Sequence, residues 1–274
     1  MQNYFDKDGG EEDDSIRHSR MDEGMSRTII TGTSDIMAQH IRTIEQVKKL
    51  PSLWEVFLNT MEGYLDCESH VLNAAVYTAL SKVLSRVDSG STIWTTPVYR
   101  TVSLWLKRMP EQGDATSSTE SNQEAYNAYI DTAAQLYRLA KETMGSPQTR
   151  KLIDNVCECV RGSDGPQYGA DVNNMSPLQS KALDLLKTIR IDLPNLPSRV
   201  ISAAAQFALL HHQVANAQGP KQGPTFVALA SESIAWLQAL TVAHIGEVEI
   251  CETGALVAGP VSYTHLTLPT KRIV

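Results

Sequence analysis

Long apolar runs are missing from this chain of 274 residues. No stretch approaches the roughly 18 consecutive apolar residues of a membrane span, which argues against an integral membrane protein. Aromatic residues are scarce, at 6%. No run of six alternates cleanly between apolar and polar, so strands lack both their favoured residues and their period. Cysteine is rare as well. Cys67, Cys157, Cys159 and Cys251 are too few for a disulfide framework and read as reduced, cytoplasmic thiols. Positive charge is not in excess: the net charge of −7 argues against a nucleic-acid binder, which needs a basic surface. No charged-then-apolar signal peptide opens the chain. What is there, 42% hydrophobic against 20% charged residues, is enough for a buried core and excludes a wholly disordered chain.

The two ends stand apart from the rest. Residues 1–27 carry eight acids (Asp6, Asp8, Glu11, Glu12, Asp13, Asp14, Asp22, Glu23) against four bases, so −4 of the net −7 lies there. With few apolar residues and no helical period, this stretch reads as an unfolded acidic linker extending to residue 33. It is not a calcium loop. After Asp6 and Asp8, Gly10 stands where a third oxygen ligand belongs, and Arg17 stands where a bidentate Glu is required. At the other end, Val261-Ser262-Tyr263-Thr264-His265-Leu266-Thr267-Leu268-Pro269-Thr270 reads as one frame of a sequencing-library transposon adapter. Residues 261–274 are therefore expected to be an artefact, and the chain a piece of a longer protein.

Between the ends the pattern is helical. Proline and glycine fall mostly between apolar-periodic runs. Ser34 and Asp35 read as N-caps of a first helix stopped by Pro51, and Ser52 as the cap of a second carrying Trp54, Phe57, Leu58, Met61 and Leu65 on one face. A third spans the Leu72–Val87 stripe, and Pro97 opens a fourth with Val98, Val102, Trp105 and Leu106. Two more are expected over about 122–144 and 148–160. Ser176-Pro177, a cap followed by a first-turn proline, opens the seventh; the eighth runs about 198–217, and Gly223-Pro224-Thr225 introduces the ninth. Several helices show two apolar sides, as a layered stack demands. The expected fold is all-α, with stacked antiparallel helix pairs of HEAT or armadillo type over residues 34–260. The pair around Asp66, with small residues Ala74, Ala75 and Ala79, is the best single unit. No strict repeat of about 40 residues is visible, so the alternative is an irregular helical domain.

Chemistry is sparse. No phosphate loop, dinucleotide fingerprint, nucleophile elbow or H-E-x-x-H occurs. His211 and His212 are adjacent and leave a helix about 100° apart, so they do not chelate as a pair; one should face solvent and one pack. Cys157 and Cys159 diverge likewise and read as buried, inert thiols. Trp94 and Trp105 read as core anchors. The eighth helix has too few cations for a lipid-binding face. No catalytic, cofactor-binding or metal residue is assigned, and no cofactor is implied.

Three stretches together carry a resemblance: Pro97-Val98-Tyr99-Arg100 through Trp105-Leu106-Lys107; Ser176-Pro177-Leu178-Gln179 through Leu185-Leu186-Lys187-Thr188-Ile189-Arg190 to Leu193-Pro194 and Ala208; and Gly223-Pro224-Thr225-Phe226-Val227-Ala228-Leu229-Ala230 to Leu240. They resemble the C-terminal region of the monensin-sensitivity-two (Mon-two) family over about residues 36–259. That family comprises large helical-repeat proteins of the Golgi and endosomes, related to the large Arf guanine-nucleotide exchange factors but without the exchange domain. The resemblance implies a non-catalytic scaffold in endosome-to-Golgi vesicle transport, cytoplasmic and peripheral on trans-Golgi and endosome membranes, with membrane association through its partners. It implies as partners a Dopey-family protein, a P-type phospholipid flippase and an Arf-like GTPase. Two alternatives stand beside it: a regulatory helical segment of a large Arf exchange factor, and an all-α enzyme domain.

Overall fold

The computed structural model describes residues 10–243, except 68, 111–118, 163–169, 219 and 222; side chains are described from Asp22 on, those of 119–121, 218 and 243 apart. The 261–274 tail and residues 1–9 lie outside the described residues, as does Cys251. The described residues are all-α. Ten helices run α1 Gly10–Gln39, α2 Ile41–Glu45, α3 Leu50–Leu65, α4 His70–Leu84, α5 Thr95–Lys107, α6 Thr119–Ala140, α7 Ser146–Gly162, α8 Pro177–Thr188, α9 Leu196–Gln218 and α10 Val227–Ala243.

The first segment departs from expectation. Residues 10–33, read as an unfolded linker, belong to α1. Ile30, Ser34, Met37 and Ala38 are buried, a stripe at helical spacing on the helix that packs on α4. Composition judged this stretch by its own apolar content, whereas the surface it covers is supplied by a helix that comes later in the chain. Ion pairs with distant elements add to the docking: Asp35 with Lys82, and Arg27 with Glu124 at 3.7 Å. Ser34 is consequently not a cap. It sits inside the helix, and its hydroxyl donates to the Thr31 carbonyl at 2.8 Å. Pro51 does not stop a helix either. It lies in the first turn of α3, whose N-cap is Lys49 rather than Ser52, because a first-turn proline loses no helical hydrogen bond. The segment before it breaks at His40 into the short α2.

From α3 onward the packing is regular. α4, α6, α8 and α10 follow one another as neighbours, with α1 also packed on α4; α3, α5, α7 and α9 form a second row. Each helix of one row also touches its chain neighbour in the other: α3 on α4, α5 on α6, α7 on α8, α9 on α10. A helix in such an arrangement meets partners on several sides. That is why α4 buries Leu72, Ala74, Val76, Tyr77, Ala79, Leu80, Val83 and Leu84 rather than a single stripe.

The turns obey local chemistry. Ser176 caps α8 with a complete capping box: its hydroxyl accepts from Gln179 N–H at 3.1 Å, and the Gln179 side chain accepts from Ser176 N–H at 3.0 Å. Asn195, with φ 63°, turns the chain into α9 in the left-handed region that Asn tolerates. Gly223 is required by space. A Cβ there would stand 2.9 Å from both the Ala215 Cβ and the His211 carbonyl oxygen.

Candidate functional site

A hydrogen-bonded aromatic cluster lies between α4, α5, α6 and α7. Tyr129 lies between Trp105, stacked at 4.4 Å, and Tyr77, edge-on at 5.0 Å. The Tyr129 hydroxyl donates to the Trp105 carbonyl at 3.1 Å and accepts from the Asn155 amide at 2.8 Å. The Tyr77 hydroxyl donates to the Arg108 carbonyl at 2.6 Å, and Thr132 donates to the Tyr77 carbonyl at 2.7 Å. Burial pushes the Tyr77 and Tyr129 phenols well above the usual tyrosine range. Cys159, beneath them, is pushed up by burial too, and Cys157 rises to about 12 for the same reason. None of these groups is an anion at neutral pH, so the cluster offers neither a base nor a thiolate. Its hydrogen bonds join successive helices, and its role is to lock their register.

The remaining sequence candidates separate in the same way. Trp54, Trp94 and Trp105 are buried. Trp54 Nε1 donates to the Pro97 carbonyl at 3.0 Å and to Thr101 Oγ1 at 2.9 Å, tying α3 to α5. Trp94 Nε1 donates to Glu45 at 2.8 Å. Cys157 and Cys159 are buried as expected, whereas Cys67 is exposed. His212 is exposed and His211 half-buried. Their rings nevertheless swing to a centroid separation of 4.0 Å; side-chain torsions offset the divergence of the Cα–Cβ bonds. Among the described residues no three His, Cys, Asp or Glu side chains stand where they could hold a metal ion.

Surface clefts are shallow. One lies between α6 and α8, an open groove of about 510 Å³ floored by Ile130, Ala134 and Leu185, with Lys141 and Asp184 at its sides. The Asp131–Lys181 ion pair, 2.7 Å, stands at its rim. Near it, Arg190 bridges Glu142 and Asp192. The Arg190 guanidinium holds the Asp192 carboxyl below its usual range. These are exposed, mutually compensated charges, which bind little on their own.

Apolar side chains outside the core are the feature that the sequence stripes passed over. Met25, Ile29 and Ile36 are exposed along α1, Val47, Leu53 and Val56 around the start of α3, and Val242 on α10. Their signal was present as apolar residues off the buried stripe, but periodicity cannot say which of two apolar sides finds a partner. α10 has a further property. Gly223–Val242 is long and apolar enough to cross a membrane by length and composition, although no unbroken apolar run marks it, and only 28% of it is buried. Glu232 and Ser231 interrupt its exposed side.

The chain matches no family model, no curated protein and no solved structure.

Proposed function

We propose that this chain is a non-catalytic scaffold of the Mon-two type, acting by protein–protein binding in endosome-to-Golgi vesicle transport. Its body is then a HEAT- or armadillo-type helical-repeat segment, in which each hairpin from α3/α4 to α9/α10 is one degenerate unit. The observation that carries the reading is where the resembling stretches sit. Each supplies a joint between layers. Pro97 and Thr101 receive the Trp54 indole, Ser176 and Gln179 form the capping box of α8, and Gln179 donates to the Thr225 carbonyl of the third stretch at 2.9 Å. Residues shared with a helical-repeat family should lie at such joints, since repeats meet only their neighbours. Open grooves on the described surface suit binding of other proteins better than turnover of a small molecule. The step from fold to function remains one of analogy with that family.

The partners this reading names are a Dopey-family protein, a P-type phospholipid flippase and an Arf-like GTPase, and the place is the cytoplasmic side of trans-Golgi and endosome membranes. The test is a pull-down with the full 274-residue chain as bait. Retention of a purified Dopey-family protein is expected, and its loss to the flow-through would remove that partner. A nucleotide-release assay on an Arf-like GTPase separates the scaffold from an exchange factor: the chain should leave the release rate unchanged.

A further inference from the structure

We propose that the corner formed by α2 and the start of α3 docks directly on an anionic lipid surface. This goes beyond the scaffold reading and does not depend on it. Three observations converge there. First, Val47, Leu53 and Val56 are exposed to 45%, 42% and 63%. Leu53 and Val56, at i and i+3, share one side of α3, and Lys49 is the N-cap that precedes it. Second, Lys48 and Lys49 are exposed and adjacent, with Arg42 exposed in α2 just before them. Elsewhere half of the cations are compensated: Arg27, Lys82, Arg100, Arg108, Arg161, Lys181, Arg190 and Arg199 each meet a carboxylate. Among the described residues, Arg42, Lys48 and Lys49 take part in no ion pair. The acids closest in sequence are engaged: Glu45 accepts from Trp94 Nε1, and Glu55 pairs with Arg100. Third, the support is rigid. Leu50, Trp54 and Phe57 are buried directly beneath, and Trp54 is fixed by its two hydrogen bonds to α5.

Apolar side chains beside lysines that carry no counter-charge match the chemistry of a headgroup layer. The aliphatic groups enter the acyl boundary while the ammonium groups stay with anionic headgroups. A protein partner of like acidity would satisfy the lysines but would not require three separated apolar side chains to point outward around one corner. The chain's net charge of −7 does not prevent the approach. The acidic run Glu11–Asp14 lies at the far end of α1, some 25 residues from Gln39, or roughly 37 Å along the helix axis. That is several times the screening length of about 8 Å at physiological salt.

The test is flotation of the full chain with phosphatidylcholine vesicles, with and without phosphatidylserine at about 7:3. Binding to the mixed vesicles, weaker in high salt, and none to phosphatidylcholine alone is expected. Lys48→Ala with Lys49→Ala should lower the partition about 25-fold, fivefold for each cation near the surface. Val47→Ser with Val56→Ser should lower it as well. Lys107→Ala with Lys151→Ala, an equal loss of exposed charge elsewhere, should leave it unchanged. All four positions in the first two variants are exposed, so unchanged far-ultraviolet circular dichroism is expected alongside the loss. The proposal is overturned if the chain stays with the free protein, if it floats equally with phosphatidylcholine alone, or if the Lys48/Lys49 variant behaves like wild type or like the Lys107/Lys151 control.

Discussion

Gln179 is the residue at which the architecture can be tested most sharply. It is fully buried and makes three hydrogen bonds: its N–H to Ser176 Oγ, its Oε1 from Ser176 N–H, and its Nε2 to the Thr225 carbonyl. Gln179→Leu keeps the volume and the helical backbone while deleting both side-chain bonds. The first loss leaves the N–H of Ser176, a fully buried residue, without its partner, at about 1–3 kcal/mol. The second leaves the half-buried Thr225 carbonyl short of one donor, at about 1 kcal/mol. The Ser176 hydroxyl still caps the Gln179 N–H, so that part of the box survives. The expected destabilisation is thus about 2–4 kcal/mol, read as a lower urea midpoint at constant slope. Because Thr225 precedes α10, amide exchange over 223–243 should accelerate more than exchange in α4. Lys181→Ala, which breaks only the half-exposed pair with Asp131 two positions away, is the control at about 0–1 kcal/mol. A Gln179→Leu effect no larger than this control would show that the joint between α8 and the α10 turn contributes nothing, and the reasoning from buried polar satisfaction would fail.

Two glycines should respond in opposite directions. Gly223→Ala forces a Cβ against the Ala215 Cβ and the His211 carbonyl, both 2.9 Å away; a carbonyl held in α9 does not move aside, and a loss of about 1–3 kcal/mol is expected in urea unfolding. Gly63→Ala, inside α3 and with nothing within 4 Å, should stabilise by roughly 0.5–1 kcal/mol through the lower entropy of the unfolded chain. The buried thiols make the fold sensitive to alkali. Cys157 titrates at about 12 in the folded chain against 9.0 unfolded, so above pH 9 the unfolded state releases a proton that the folded state keeps. Stability should therefore fall between pH 9 and about 12, by up to roughly 4 kcal/mol for this one group, and the slope in a denaturant series should be shallower in Cys157→Ala. At neutral pH a thiol reagent should label exposed Cys67 within the time that Cys157 and Cys159 stay unmodified.

The sequence by itself determined the helical class and most element positions, since these are local properties. The stripe Trp54–Leu65, the cap at Ser176 with Pro177, and the break before Gly223 each act within a few residues of themselves. It also pointed to the burial of Cys157 and Cys159, since a free cysteine behaves as a small apolar residue. Tertiary structure alone decided the fate of α1. Its acidic composition says nothing of α4, and only the packed surface of α4 offsets the entropy of ordering it. The same holds for Pro51 and Ser34, whose meaning depended on where neighbouring helices began. The joints were equally invisible beforehand: Trp54 meets Pro97 across 43 residues and Gln179 meets Thr225 across 46. So was the exposed side of α3, where Leu53 and Val56 look no different from core residues until one sees that nothing covers them. Periodicity reports how many apolar sides a helix has; which of them is buried is settled by neighbours that the chain brings from elsewhere.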